Sequence, residues 1–279
     1  MRKCSLSNLD ALFAAIAGNA TLYLPVEKEQ GSATYEKWTE GTVWSNALNT
    51  VRSPKDFFFP QTEDLMKFKP DAECIVSPHP IYSNFGEKLS RESACSELGI
   101  SPDKKNLLFF GLIRDYKGLD ILIDAFSQLD DSYQLIIAGE PYGSFEKYEK
   151  QIAASPLKEN IKLFTSYIPD DQVAPFFCAS DLCVLPYRSA TQSGISSIAY
   201  HFNLPMVTTP VGGLKESIGD TGTGIITENV SSEAVTKAIK CYFENEENKS
   251  VFSQNIDNEK ERLSWSTFAN NLINLYNKL

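Results

Sequence analysis

From about residue 71 onward, short apolar runs alternate with longer stretches whose apolar positions recur at helical spacing. Residues 107–110 form an apolar run closed by Gly111, and 133–138 form another closed by Gly139. Residues 161–164, 182–185 and 206–208 read the same way, the fourth run being closed by Pro186. Between them, 119–129, 144–153, 170–179 and 193–202 carry helical periodicity. Two or three helices follow to the C-terminus, the last over 266–278 and entered through Trp265. Continuously apolar strands, each followed by a helix, belong to parallel sheets covered on both faces. Right-handed crossovers then make the fold class α/β, a doubly wound, Rossmann-like parallel sheet spanning about 77–227.

The first 70 residues lack this alternation and are predicted to be a short irregular appendage rather than a Rossmann-like domain. Leu6, Leu9, Leu12, Phe13 and Ile16 fall on one helical face, and residues 21–26 look like a strand. A polar stretch over 27–56 follows, with Trp38 and Trp44, and then Phe57-Phe58-Phe59-Pro60. Asn8 and Asp10 interrupt the first apolar run, which suits an amphipathic helix better than a signal peptide. No uninterrupted run of about 18 apolar residues exists, so no membrane span is expected and the chain is read as cytoplasmic.

Composition narrows the chemistry. A net charge of −10 argues against general affinity for nucleic acid or anionic membrane. Six cysteines form no C-x-x-C pair and only two histidines occur, so no metal site is expected. No P-loop or nucleophilic triad is present, and no cofactor is called for.

Doubly wound folds bind ligands at the carboxyl ends of their strands, and four loops lie there. In Gly111-Leu-Ile-Arg114-Asp-Tyr-Lys117-Gly118, two cations sit beside a helix start and suit a diphosphate; a solvated loop fits equally. Gly139-Glu140-Pro141-Tyr142-Gly143 permits close backbone approach, with Glu140 able to accept from hydroxyls or merely favour a helix start. Thr191-Gln192-Ser193-Gly194 is a small, polar helix entry suited to an anion, or a cap with Ser193 as N-cap. Gly212-Gly213-Leu-Lys-Glu216 is a turn with an acid three residues on.

In order, FFGLIRDYKGLDILIDAF, LIIAGEPY, YIPDDQVAPFFCASDLCVLPYRSATQSG and NLPMVTTPVGGLKESI resemble the donor domain of retaining GT-B glycosyltransferases of the glycogen-synthase/mannosyltransferase type. The likeness covers about 71–279. It implies a transferase taking a nucleotide-diphosphate sugar without a metal, for an unspecified acceptor. Arg114 and Lys117 would hold the diphosphate, with Thr191, Gln192, Ser193 and Gly194 as the phosphate-binding helix start. Tyr167 and Ile168 would lie against the base, and Gly111, Gly139 and Glu140 would line the cleft. Many members place two glutamates eight positions apart near the last phosphate loop; the matching positions here are about Ala190 and Ile198. Glu216 is then the candidate for hydroxyl recognition.

The first 70 residues do not resemble the acceptor domain of such enzymes. They resemble the start of iron–sulfur subunits of anaerobic hydrogenase or sulfite-reductase type, without the downstream cluster cysteines. The simplest account is a fusion of two fragments, 1–70 and 71–279. The first expectation is a transferase with a partner chain supplying its acceptor side; the alternatives are a nucleotide-sugar-binding module without turnover and an electron-transfer accessory protein.

Overall fold

The structure, a computed structural model, describes residues 22–27, 33–38, 80–81, 84–190 and 193–278. The chain divides into two compact units: Pro80–Ser264, and residues 1–79 together with 265–279.

In the second of these, β1 (Leu22–Glu27) pairs antiparallel with β2 (Ala33–Trp38), Leu22 opposite Trp38 and Glu27 opposite Ala33. The strand-like run expected over 21–26 corresponds to β1. Its partner β2 was hidden in the polar stretch, because ATYEKW offers no alternation of apolar residues to read. The N-terminal helix expected around Leu6–Ile16 and the aromatic run at 57–60 lie outside the described residues, as does most of the iron–sulfur-like segment.

The unit Pro80–Ser264 holds six parallel strands: β3 (Lys105–Phe110), β4 (Tyr133–Ala138), β5 (Ile161–Phe164), β6 (Leu182–Leu185), β7 (Met206–Thr208) and β8 (Gly224–Ile226). Their order across the sheet is β5-β4-β3-β6-β7-β8. Successive residues point to opposite faces, which is why the strands read as continuous apolar runs. Leu108, Phe110, Ile136, Cys183 and Leu185 enter one core layer; Leu107, Phe109, Leu135, Ile137, Leu182 and Val184 enter the other. Helices α1 (Arg91–Leu98), α4 (Ala174–Cys178), α5 (Gly194–His201) and α7 (Glu246–Arg262) cover the first layer. Helices α2 (Leu119–Phe126), α3 (Glu146–Ala154) and α6 (Ser232–Glu244) cover the second. The last helix, α8 (Trp265–Lys278), starts at Trp265 and clusters with the hairpin unit.

Two boundaries moved for identifiable reasons. The helix expected over 119–129 ends at Phe126, where the Ser127 hydroxyl donates to Ile123 O at 2.8 Å. The helix expected over 170–179 splits into a 3₁₀ turn, Asp170–Gln172, and short α4, with Pro175 in its first turn. A π-helical turn, Lys215–Gly219, follows β7 and was not foreseen.

Candidate functional site

The strand order fixes where a ligand can enter. Connections run outward from β3 through β4 to β5 on one side, and from β6 through β7 to β8 on the other. The two halves diverge between β3 and β6, leaving a crevice beyond their carboxyl ends that no crossover closes. The loop 111–118 and the described residues of the stretch between β6 and α5, 186–190 and 193, border that crevice.

The first loop is shaped by close backbone packing. Gly139 has φ +138°, and a Cβ there would lie 2.3 Å from Gly111 O. Ile113 N–H donates to Glu140 O at 2.8 Å and Tyr142 N–H to Ile113 O at 2.9 Å, so the loops after β3 and β4 run zipped together. Gly118 has φ +67°, and a Cβ there would sit 2.0 Å from Pro186 O. Only glycine lets the start of α2 press against the end of β6 in this way.

Between these glycines, a 3₁₀ turn, Asp115–Lys117, swings Lys117 inward. Lys117 is 7% exposed, and its Nζ lies beside Gly111 and 5.9 Å from the centre of the Tyr187 ring. Among the described residues it has no hydrogen bond and no ion pair. Burial pulls its pKa down to about 8, aided by the Arg114 charge and opposed by nearby Cys183. Cys183 is no counter-ion: burial pushes its thiol up to about 12, leaving it neutral near pH 8. Burial pushes the Tyr187 hydroxyl up as well. Such an uncompensated ammonium is costly unless something anionic meets it. Arg114 faces solvent instead, its guanidinium 4.5 Å over the Tyr142 ring.

The second loop leads into α5. Ser193 sits at its N-cap position, yet its side chain makes no capping bond. The Ser193 hydroxyl is 3.2 Å from the Tyr187 hydroxyl, a competing partner the sequence could not reveal. The helix start is therefore uncapped by Ser193, and Ile195 packs within 2.9 Å of where a Gly111 Cβ would be. Gly194 is exposed at this start; Thr191 and Gln192 lie outside the described residues.

Arg188, to which the sequence assigns no role, holds the two sides of the crevice together. Its N–H donates to Tyr116 O at 2.7 Å, and its guanidinium donates to Asp115 O and Asp120 Oδ1, both at 2.8 Å. A third bond reaches Asp120 Oδ2, making the pair bidentate. Lys147 adds an ion pair to Asp115, holding that carboxyl below its ordinary range.

The remaining candidates are more scattered. Glu140 is exposed behind Gly139. Tyr167, after β5, is 70% exposed, while Ile168 is partly buried against the core. Glu216 is exposed on the π-helical turn after β7. Ala190 and Ile198, the positions matched to the two glutamates, both pack against the core. Among the described residues, no group of three His, Cys, Asp or Glu side chains suits a metal, and no helix is long and apolar enough to cross a membrane.

A six-stranded parallel sheet that winds both ways from β3 and β6, with helices on both faces, defines a domain of the Rossmann-like α/β class. The chain belongs to the glycosyl transferases group 1 family, whose model matches residues 90–259. It is 25% identical over 242 residues to a D-inositol 3-phosphate glycosyltransferase of Corynebacterium glutamicum (strain R), covering 83% of this chain and 56% of the relative. Its fold is similar to sucrose-phosphate synthase from Thermosynechococcus elongatus (20% identity, TM-score 0.64, 78% of this chain and 56% of that one). It is also similar to Anabaena Alr3699/HepE in complex with UDP (20% identity, TM-score 0.61, 71% and 57%). The C-terminal domain of a group 1 glycosyl transferase, LpcC of Francisella tularensis, is matched over 93% of its length at 21% identity and TM-score 0.54, covering 64% of this chain. The chain spans about half the length of the curated relatives it matches.

Proposed function

We propose that residues 80–264 form the donor half of a glycosyltransferase that takes a sugar from a nucleotide-diphosphate sugar. The observation that carries this reading is Lys117: a residue only 7% exposed, without a counter-charge among the described residues, at the switch point of the sheet. A diphosphate there would receive its charge together with the free N–H groups at the start of α5. Arg114, one turn earlier at the mouth, would supply a second cation, and Thr191, Gln192, Ser193 and Gly194 would surround the phosphates. Gly111 and Gly139 would let the ligand approach the backbone. Glu140 would line the cleft, Tyr167 and Ile168 would face the base, and Glu216 would accept from sugar or ribose hydroxyls.

In transfer, the sugar–phosphate bond breaks and negative charge grows on the departing diphosphate. Lys117 and Arg114 would stabilise that charge where it develops. Two fixed cations make a metal unnecessary in this reading, and the family resemblance favours retention at the anomeric carbon. The similar structures of Anabaena Alr3699/HepE in complex with UDP and with UDP-glucose support a nucleotide-sugar donor. A second reading of the same crevice is donor binding without turnover. Calorimetric titration with UDP-, GDP- and ADP-sugars tests the first step, and a donor-hydrolysis assay separates the two readings. Micromolar binding of one sugar nucleotide is expected; no binding to any of the panel contradicts both.

A further inference from the structure

Arg114 and Tyr142 lie on different loops, and the structure brings them into contact. The Arg114 guanidinium stands 4.5 Å from the centre of the Tyr142 ring. Among the described residues it has no hydrogen bond or ion pair, so the ring is what gives this exposed side chain a direction. The ring is itself well placed to do so. Tyr142 N–H donates to Ile113 O at 2.9 Å, Ile113 N–H donates to Glu140 O at 2.8 Å, and Ile113 bridges Pro141 in parallel. The peptide carrying the ring is thus tied to the residue immediately before Arg114.

Tyr142 is 72% exposed, too open to serve the core. An aromatic face attracts a guanidinium without using any of its N–H donors. All five would stay available to anionic oxygens, unlike the donors of Arg188, which are spent on Asp115 O and Asp120.

We propose that Tyr142 is a positioning residue, whose ring holds Arg114 at the mouth of the crevice with its donors free for the phosphate oxygens of the nucleotide sugar. This rests on the reading of the crevice as the donor site. The contact needs a π face and no hydroxyl, which separates it from a hydrogen bond to the ligand.

The test is calorimetric titration of UDP-glucose into the full chain and its Tyr142→Phe, Tyr142→Leu, Arg114→Ala and Tyr142→Leu/Arg114→Ala variants, with Lys117→Met alongside. Phenylalanine should bind like the parent. Leucine should weaken binding about two- to five-fold, the scale of an exposed cation–π contact. In the Arg114→Ala background the leucine change should add nothing. Parent-like binding by Tyr142→Leu, or the same loss with Arg114 already removed, overturns the proposal. So does an Arg114→Ala variant that binds normally; Lys117→Met then decides whether the donor reading itself survives. Thermal melting of each variant checks that loss of binding is not loss of fold.

Discussion

Strands β3 and β6 carry charge at both of their ends, and the two ends treat it in opposite ways. At the amino ends, Arg91 meets the Asp181 carboxylate through two bonds of 2.9 Å and also donates to Ala179 O, Lys104 O and Pro102 O. Asp181 accepts a further bond from Asn106 N–H at 2.9 Å. The Arg91 and Asp181 charges there are partnered within the fold. At the carboxyl ends, Lys117 is more deeply buried and, among the described residues, has no ion pair; Gly111 and the neutral Cys183 and Tyr187 side chains lie near it. The paired end joins α1 to the sheet, and the unpaired end leaves an electrostatic demand for something from outside. Charge left uncompensated inside a stable unit marks where a ligand is expected.

The contrast predicts different kinds of damage. Arg91→Ala should cost about 2–3 kcal/mol of stability, because the partly buried Asp181 carboxylate loses its main partner. Chemical denaturation would measure this, and nucleotide binding to the surviving folded protein should be unchanged. A loss of affinity without loss of stability would erase the distinction between the two ends.

Arg114→Ala should do the reverse, weakening UDP-glucose binding by about 1.5–3 kcal/mol with little change in the melt. Arg188→Ala should weaken binding less, by about 1 kcal/mol, since it acts only by loosening its hold on Asp115 in the loop and on Asp120 at the start of α2. A larger loss at Arg188 than at Arg114 would mean that the loop geometry matters more than the exposed cation.

The smallest effect is a pH dependence. Folding lowers the Lys117 pKa from 10.5 to about 8, so between these values the unfolded chain binds more protons than the folded one. This residue therefore adds stability as pH rises through that window, while affinity for UDP-glucose falls as its charge is lost. Cys183 works against the first trend above about pH 9, because its thiol ionises in the unfolded chain and not in the core. The stability term should accordingly be read as the difference between the parent and Lys117→Met. Affinity that stays flat from pH 7 to 9.5 would count against Lys117 as a ligand group.

The sheet was legible because its strands announce themselves: LLFF, YQLIIA and LCVL are buried on both faces, and each ends in a glycine or proline. β8, with only Gly-Ile-Ile, was too short to stand out, and the π-helical turn at Glu216 has no periodicity of its own. The glycines and the two cations of loop 111–118 were readable as a pattern. Which cation turns inward was not, since that depends on a 3₁₀ turn and on Gly118 fitting under Pro186. Arg188 escaped for a similar reason: its partner Asp120 is 68 positions away and meets it only once β3 and β6 are neighbours. Ser193 had the composition of an N-cap, but the Tyr187 hydroxyl holds its side chain.

The measurement that bears most directly on this account is Lys117→Met, titrated with UDP-glucose and melted side by side with the parent. Methionine fills the same volume, makes no charge, and relieves the burial of an unpaired ammonium. The account predicts a loss of about 2–3 kcal/mol in binding, with a melting temperature equal to or above the parent's. Parent-like binding, or a protein that melts much earlier, would show that Lys117 serves the fold rather than a ligand.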